Sequence, residues 1–235
     1  MDRASRATLH EPLLHGPERW TARVVRAGRW ESPVGFVVGL AVLACGALAV
    51  GAAVLGVLTD GRHVPEFASL ALLWAFVGGG LAHQCRVPLR LRSTTAFVGV
   101  FAAWSAVILV SIATYEFLGT FANWDDSVFE SVAGFTTTAA TVVENPEALS
   151  RATLFWRAGT QWIGGLGALL FVVAVLPSIG VGGLDVTDAG QRYSGTSLRS
   201  RRTLQQLRRL SLLYVALTGA GIVLFLLGGM GPFDS

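Results

Sequence analysis

The stretch Phe121-Ala-Asn-Trp-Asp-Asp-Ser-Val-Phe-Glu-Ser-Val-Ala-Gly-Phe-Thr-Thr-Thr-Ala-Ala-Thr-Val-Val-Glu144 lies between two long apolar runs and resembles neither. Asp125 or Asp126 is placed to cap a helix N-terminus, where a carboxylate accepts free backbone N–H groups. The residues that follow, to about Gly134, give about nine or ten helical positions, or ~15 Å at 1.5 Å per residue. That is roughly half of a bilayer's hydrocarbon thickness. Gly134 suits a helix C-terminus, and Thr136, Thr137 and Thr138 follow it with no helical pattern.

Outward from this stretch the chain reads as membrane protein. Of its 235 residues 52% are hydrophobic and only 14% charged, against roughly 25% charged in soluble domains. Five runs approach the ~20 apolar residues that a spanning helix needs: Val34–Leu58, Phe67–Ala82, Thr95–Leu118, Leu154–Ile179 and Leu210–Gly228. The second is short and carries Gly78, Gly79 and Gly80, and Gly35 and Gly39 open the first as a GxxxG pair. Both features suit close helix contact in lipid. The first run follows a mostly polar segment and is about twice a typical signal-peptide core. Val42-Leu43-Ala44-Cys45 looks like a lipoprotein cleavage box, but apolar sequence continues past it.

All eighteen basic residues are arginines. Their placement in short loops beside apolar runs argues against nucleic acid despite the basic pI. Arg3, Arg6, Arg19, Arg23, Arg26 and Arg29 precede the first run, Arg86, Arg90 and Arg92 follow the second, and Arg192, Arg199, Arg201, Arg202, Arg208 and Arg209 precede the fifth. With the N-terminus in the cytoplasm, all of these fall inside, as the positive-inside rule requires. Asp60, Glu66, Glu116, Asp125, Asp126, Glu144 and Glu147 then fall outside. Asp60 and Glu66 read as solvated loop charges, while those around the quoted stretch are also placed to attract cations.

With both flanking runs ending outside, the quoted stretch must dip in from the outer face and return, or stay outside as a loop with a short helix and a threonine turn. Composition leaves these two readings level. Backbone outside a helix is tolerated at membrane depth only where it is buried in protein or lines water. In the first reading the carbonyls of Thr136, Thr137 and Thr138 point at a common axis and replace an ion's hydration shell. The negative C-terminal end of the half-helix then aims at the ion.

The motifs decide between them. Phe129-Glu-Ser-Val-Ala-Gly-Phe-Thr-Thr-Thr-Ala-Ala-Thr141, then Leu154-Phe-Trp-Arg157 and Gln161-Trp-Ile-Gly-Gly-Leu-Gly167, closely resemble the first pore region of the TrkH family, bacterial potassium-uptake proteins of the Trk/Ktr/HKT superfamily. The resemblance continues through Leu176-Pro-Ser-Ile-Gly-Val-Gly-Gly183 and the basic linker to Gly229-Met-Gly-Pro-Phe-Asp234. The first two runs fit the family's extra N-terminal helix pair by position.

The resemblance implies an all-α integral membrane fold. Five transmembrane helices and one re-entrant pore half-helix with its filter loop make a helix–pore loop–helix repeat. The expected division is a cytoplasmic arginine-rich N-terminus (1–33), the helix pair (34–94), the first repeat (95–180), a cytoplasmic basic linker (181–209) and the first helix of a second repeat (210–235). Because that second repeat stops before its pore helix, the chain reads as the N-terminal part of a longer pore or as a truncated one. The filter positions are Thr136, Thr137, Thr138 and Ala139, where the family pattern has glycine after three threonines. Ala139 is therefore expected to turn its carbonyl away or shift the loop, weakening discrimination of potassium from sodium.

Glu130 and Gly134 support the pore helix, with Glu130 a structural acid behind the filter; an acid there is expensive unless paired or wetted. Arg157 is expected to snorkel to the outer interface or bond pore-helix carbonyls, and Gln161 to bond a neighbouring helix. Gly164, Gly165 and Gly167 let their helix bend or sit close to the loop. The implied function is potassium transport in a multi-pass bacterial inner-membrane protein with no cofactor and no enzymatic activity; no Walker loop, dinucleotide fingerprint or Ser/His/Asp order occurs. The implied partners are the bilayer, a TrkA-type nucleotide-binding regulatory subunit docking on the linker, and a second copy in a homodimer when the protein is full length. The alternatives are a sodium-permeable or poorly selective transporter, and a non-conducting protein that associates with a homologue.

Overall fold

A computed structural model describes residues 32–85, 93–175, 196–229 and 231. The N-terminal arginines, the arginines of 86–92, Arg192, the 176–183 motif and most of the 229–234 motif lie outside the described residues. Six α-helices carry the described chain: α1 (Pro33–Leu58), α2 (Val64–Gln84), α3 (Ser93–Leu118), α4 (Trp124–Phe135), α5 (Arg151–Val175) and α6 (Thr196–Leu227). A single 3-10 turn, Pro146–Ala148, lies between α4 and α5.

Helix α1 is the hub. It starts where Pro33 fixes φ at the first helical position and the Ser32 side chain accepts a bond from Gly35 N at 3.1 Å. Its buried face is Gly39, Val42, Cys45, Gly46, Ala49, Ala52 and Gly56, small residues at helical spacing. They bring backbones together: a Cβ on Gly39 would stand 2.6 Å from Ala82 N, and one on Gly78 2.6 Å from Leu43 N. Of the three consecutive glycines only Gly78 makes this approach; around Gly80 there is open space. Helix α1 also packs on α3 and α5, α3 and α5 hold α4 between them, and α6 leans on α5.

The core centres on the fully buried Phe67, Tyr115 and Trp156, with the Phe67 and Trp156 rings 6.0 Å apart. Large apolar side chains face outward, among them Phe76 at 81% exposure and Leu72 at 75%. So much exposed apolar surface needs a lipid or protein cover. Among the described residues four helices are long and apolar enough to cross a bilayer, in the stretches Pro33–Leu58, Val64–Gln84, Phe97–Leu118 and Gln205–Leu227. Helix α5, at 25 residues, is long enough but carries Arg157, Gly159, Thr160 and Gln161 in its first half and Gly164, Gly165 and Gly167 just past its middle.

Two element boundaries differ from the sequence reading. Helix α6 begins at Thr196 rather than Leu210, because the second half of the basic linker is built of leucine, arginine and glutamine, good helix formers that continue the span. Helix α4 begins after Asn123, so Asp125 and Asp126 lie in its first turn and are not its cap. There their charges meet the positive end of the helix dipole, and Asn123 Nδ2 donates to Asp126 Oδ2 at 3.2 Å.

Candidate functional site

The half-helix α4 presents Ser127, Glu130, Ser131, Ala133, Gly134 and Phe135 to the protein, while Thr136, Thr137, Thr138 and Ala139 are exposed. Its C-terminus is a Schellman cap. Thr138 N donates to Ala133 O at 3.1 Å and Thr137 N to Gly134 O at 3.0 Å, the paired bonds that close such an end. The left-handed residue this cap demands is Thr137, at φ 56°. Gly134 therefore does not end the helix. It stays helical because α5 crosses it closely: a Cβ there would meet Thr160 Oγ1 at 2.7 Å.

The threonine hydroxyls tie the loop to the helix. Thr136 Oγ1 donates to Val132 O at 2.7 Å and lies 2.8 Å from Thr138 Oγ1. Ala139 has φ 62°. The conformation a glycine would supply is thus kept by an alanine, at roughly 1–2 kcal/mol.

Behind the loop lies a buried ion pair. Arg157 Nε donates to Glu130 Oε1, and Glu130 is 1% exposed. The other carboxylate oxygen accepts Thr141 Oγ1 at 2.9 Å and Val142 N at 3.2 Å. One acid so joins α4, α5 and the returning limb. Arg157 neither snorkels outward nor bonds pore-helix carbonyls, because a desolvated carboxylate is the stronger acceptor.

Helix α5 approaches the loop through its glycines. A Cβ on Gly164 would stand 2.2 Å from Phe135 O, and one on Gly165 3.7 Å from Thr137 Cγ2 and 2.8 Å from the Tyr214 hydroxyl. Gln161 is half-buried and makes no hydrogen bond to a neighbouring helix among the described residues. Its neighbour Trp162 does so instead: its indole N–H donates to Thr218 Oγ1 at 3.1 Å, and its carbonyl accepts the Tyr214 hydroxyl at 3.2 Å.

The Arg151 end of α5 is fastened by Asp60, which sequence reading left as a solvated loop charge. Its carboxylate accepts Arg151 N at 3.1 Å and Arg62 N at 3.2 Å, and Arg62 Nη1 donates to Ala148 O at 3.4 Å. Desolvation pushes the Asp60 carboxyl up, but the N–H groups of Arg151 and Arg62 and the Arg62 charge together outweigh it and hold it below its ordinary value. A depressed carboxyl contributes stability above its unfolded value and loses it as pH falls through the lower folded value. Thermal unfolding of the chain in detergent is therefore expected to show a small loss of stability below about pH 3.8, reduced in Asp60→Asn.

These features define a class: an all-α, multi-pass membrane protein with a short helix and an exposed threonine loop clasped between longer helices. A family model described as a cation transport protein, TrkH, matches residues 63–229, and the chain belongs to that family. It is 31% identical over 186 residues to the Trk system potassium uptake protein TrkH of Vibrio parahaemolyticus, covering 75% of this chain and 37% of that protein. It is also 31% identical over 172 residues to TrkG of Escherichia coli, covering 72% of this chain and 35% of the relative. The crystal structure of the potassium transporter TrkH from Vibrio parahaemolyticus superposes with a TM-score of 0.71 at 29% identity, over 86% of this chain and 40% of that one. The chain thus spans little more than a third of the length of these curated relatives.

Proposed function

We propose that this chain contributes the first pore loop of a potassium-uptake transporter, with Thr136, Thr137, Thr138 and Ala139 lending backbone carbonyls to the ion path. The observation that carries this is the exposed Thr136–Ala139 loop at the end of a half-helix whose back is locked by Glu130 and Arg157. A filter must present dipoles that do not relax around the wrong ion, and a buried clamp supplies that rigidity. In this reading α4 is re-entrant, α5 is the fourth span with its glycines against the loop, and the N-terminus lies on the cytoplasmic side of a bacterial inner membrane. The divisions at 34–94, 95–180 and 210–235 follow from it. The basic linker, whose second half forms the start of α6, is the docking face for a TrkA-type subunit, and the complete pore pairs as a homodimer. No cofactor is needed, since the ion is cargo.

Growth in micromolar potassium tests the reading. A bacterial strain lacking its own potassium-uptake systems should grow when it expresses this protein from its native gene. No rescue, with the protein present in the membrane, would overturn the proposal. The left-handed Ala139 favours potassium over the less selective alternative. Ala139→Gly should raise stability by about 1 kcal/mol through relief of backbone strain, read by thermal unfolding. It should leave the preference for rubidium over sodium uptake unchanged; a marked gain in selectivity would revive the poorly selective reading.

A further inference from the structure

Thr137 is a β-branched residue at φ 56°, a conformation that is a genuine outlier for that residue type. The Schellman bonds satisfy its backbone but do not remove the side-chain penalty, so the neighbours of the side chain must hold it. One side of that surrounding is Gly165 of α5, and the other comes from outside the repeat. Gly165 leaves a gap that Thr137 Cγ2 faces, and the Tyr214 hydroxyl of α6 stands within 2.8 Å of the point a Gly165 methyl would fill. Tyr214 is fixed there in two ways: its hydroxyl donates to Trp162 O at 3.2 Å, and its ring lies tilted against the Trp162 ring with centroids 5.3 Å apart.

We infer that Tyr214 is a positioning residue for the first filter loop: its hydroxyl, pinned on Trp162 O over Gly165, walls the space beside Thr137 and keeps that residue left-handed. The inference rests on the proposed function in giving the loop an ion path, but its geometry stands apart from transport. It follows that the strand of carbonyls in the first repeat is shaped by the helix that comes after it. Helix α6 is continuous from Thr196 to Leu227, so the same rod that begins in the basic linker passes the loop at its middle.

The test compares two substitutions on α6 in the full chain in lipid bilayers. Tyr214→Phe removes the hydroxyl and keeps the ring. Thr218→Val removes the bond that Thr218 Oγ1 accepts from Trp162 Nε1 and the one it donates to Tyr214 O, and keeps the Tyr214 hydroxyl over Gly165. Solid-state NMR of carbon-13-labelled threonine reads the backbone of Thr137 through its Cα and Cβ shifts, with Thr141 as internal reference. Rubidium uptake in competition with sodium reads selectivity. Tyr214→Phe is expected to move the Thr137 shifts away from left-handed values and to lower selectivity about fivefold, the scale of one hydrogen bond. Thr218→Val should change neither. Equal effects from both substitutions, or Thr137 shifts untouched by Tyr214→Phe, would overturn the inference. A parent protein that takes up no rubidium while Tyr214→Phe still moves Thr137 would sink the transport reading and leave the positioning role standing.

Discussion

Glu130→Ala is expected to destabilise the chain by about 3–5 kcal/mol, the range for removing one member of a buried ion pair. The carboxylate is buried and serves three donors at once: Arg157 Nε, Thr141 Oγ1 and Val142 N. Deleting it leaves an arginine whose side chain is only 19% exposed without its counter-charge, together with a hydroxyl and a backbone N–H that lose their acceptor. Against a total stability of about 5–15 kcal/mol this is a large share, and the returning limb should detach first, since Glu130 ties it to α4. Thermal unfolding in detergent should show the loss, and uptake should vanish with it. Glu130→Gln keeps an acceptor for Thr141 and Val142 and should cost less. Adding Arg157→Gln to Glu130→Gln removes the orphaned charge, so the double variant should be more stable than the sum of the singles predicts. A Glu130→Ala chain within about 0.5 kcal/mol of the parent, the range of ordinary surface changes, would mean that the pair holds nothing.

That clamp marks the boundary of what local sequence can disclose. The apolar runs, the short helix and its threonine turn are written in periodicity and composition, and among the described residues the structure has them within a few residues, save that α6 starts at Thr196. The need for a partner to Glu130 was also legible, because an acid at membrane depth is expensive alone. Its identity was not, since Arg157 follows it by 27 residues on another helix. Asp60 is the stronger case: its bond to Arg151 N crosses 91 residues, and nothing near Asp60 in the chain separates it from a solvated aspartate. Thr137 shows the opposite failure. A glycine beside a helix end attracts the capping role, but Gly134 is reserved for the approach of Thr160, and the left-handed position passes to a residue that local preference would exclude. Tertiary packing overrode propensity there, as it does where one glycine must serve either a turn or a crossing. Tyr214 and Trp162 carry no motif as a contact pair; only the packing of α6 on α5 joins them.

Gly164→Ala should be the most damaging change of a single carbon atom. Its Cβ would lie 2.2 Å from Phe135 O, 2.8 Å from Phe135 C and 2.9 Å from Phe135 Cα. These are backbone atoms at the end of α4, so no side-chain rotation relieves the contact. Either α5 moves away, opening the packing around Trp156, or α4 shifts and takes the threonine loop with it. Overpacking of this kind typically costs 1–3 kcal/mol, and a backbone obstacle puts the expected loss at the upper end, about 3 kcal/mol. Geometry makes the functional loss larger than the loss of stability, because the atom displaced is the carbonyl just before Thr136. A comparison isolates the cause. Gly80 is also helical, but a Cβ there meets nothing within 4 Å, so Gly80→Ala should gain up to about 1 kcal/mol from helix propensity alone. Thermal unfolding of the two variants should therefore move in opposite directions, and rubidium uptake should fall only in Gly164→Ala. If Gly164→Ala were as stable as Gly80→Ala, α5 would not lie against the end of the half-helix, and the loop would lack the wall on which its rigidity depends.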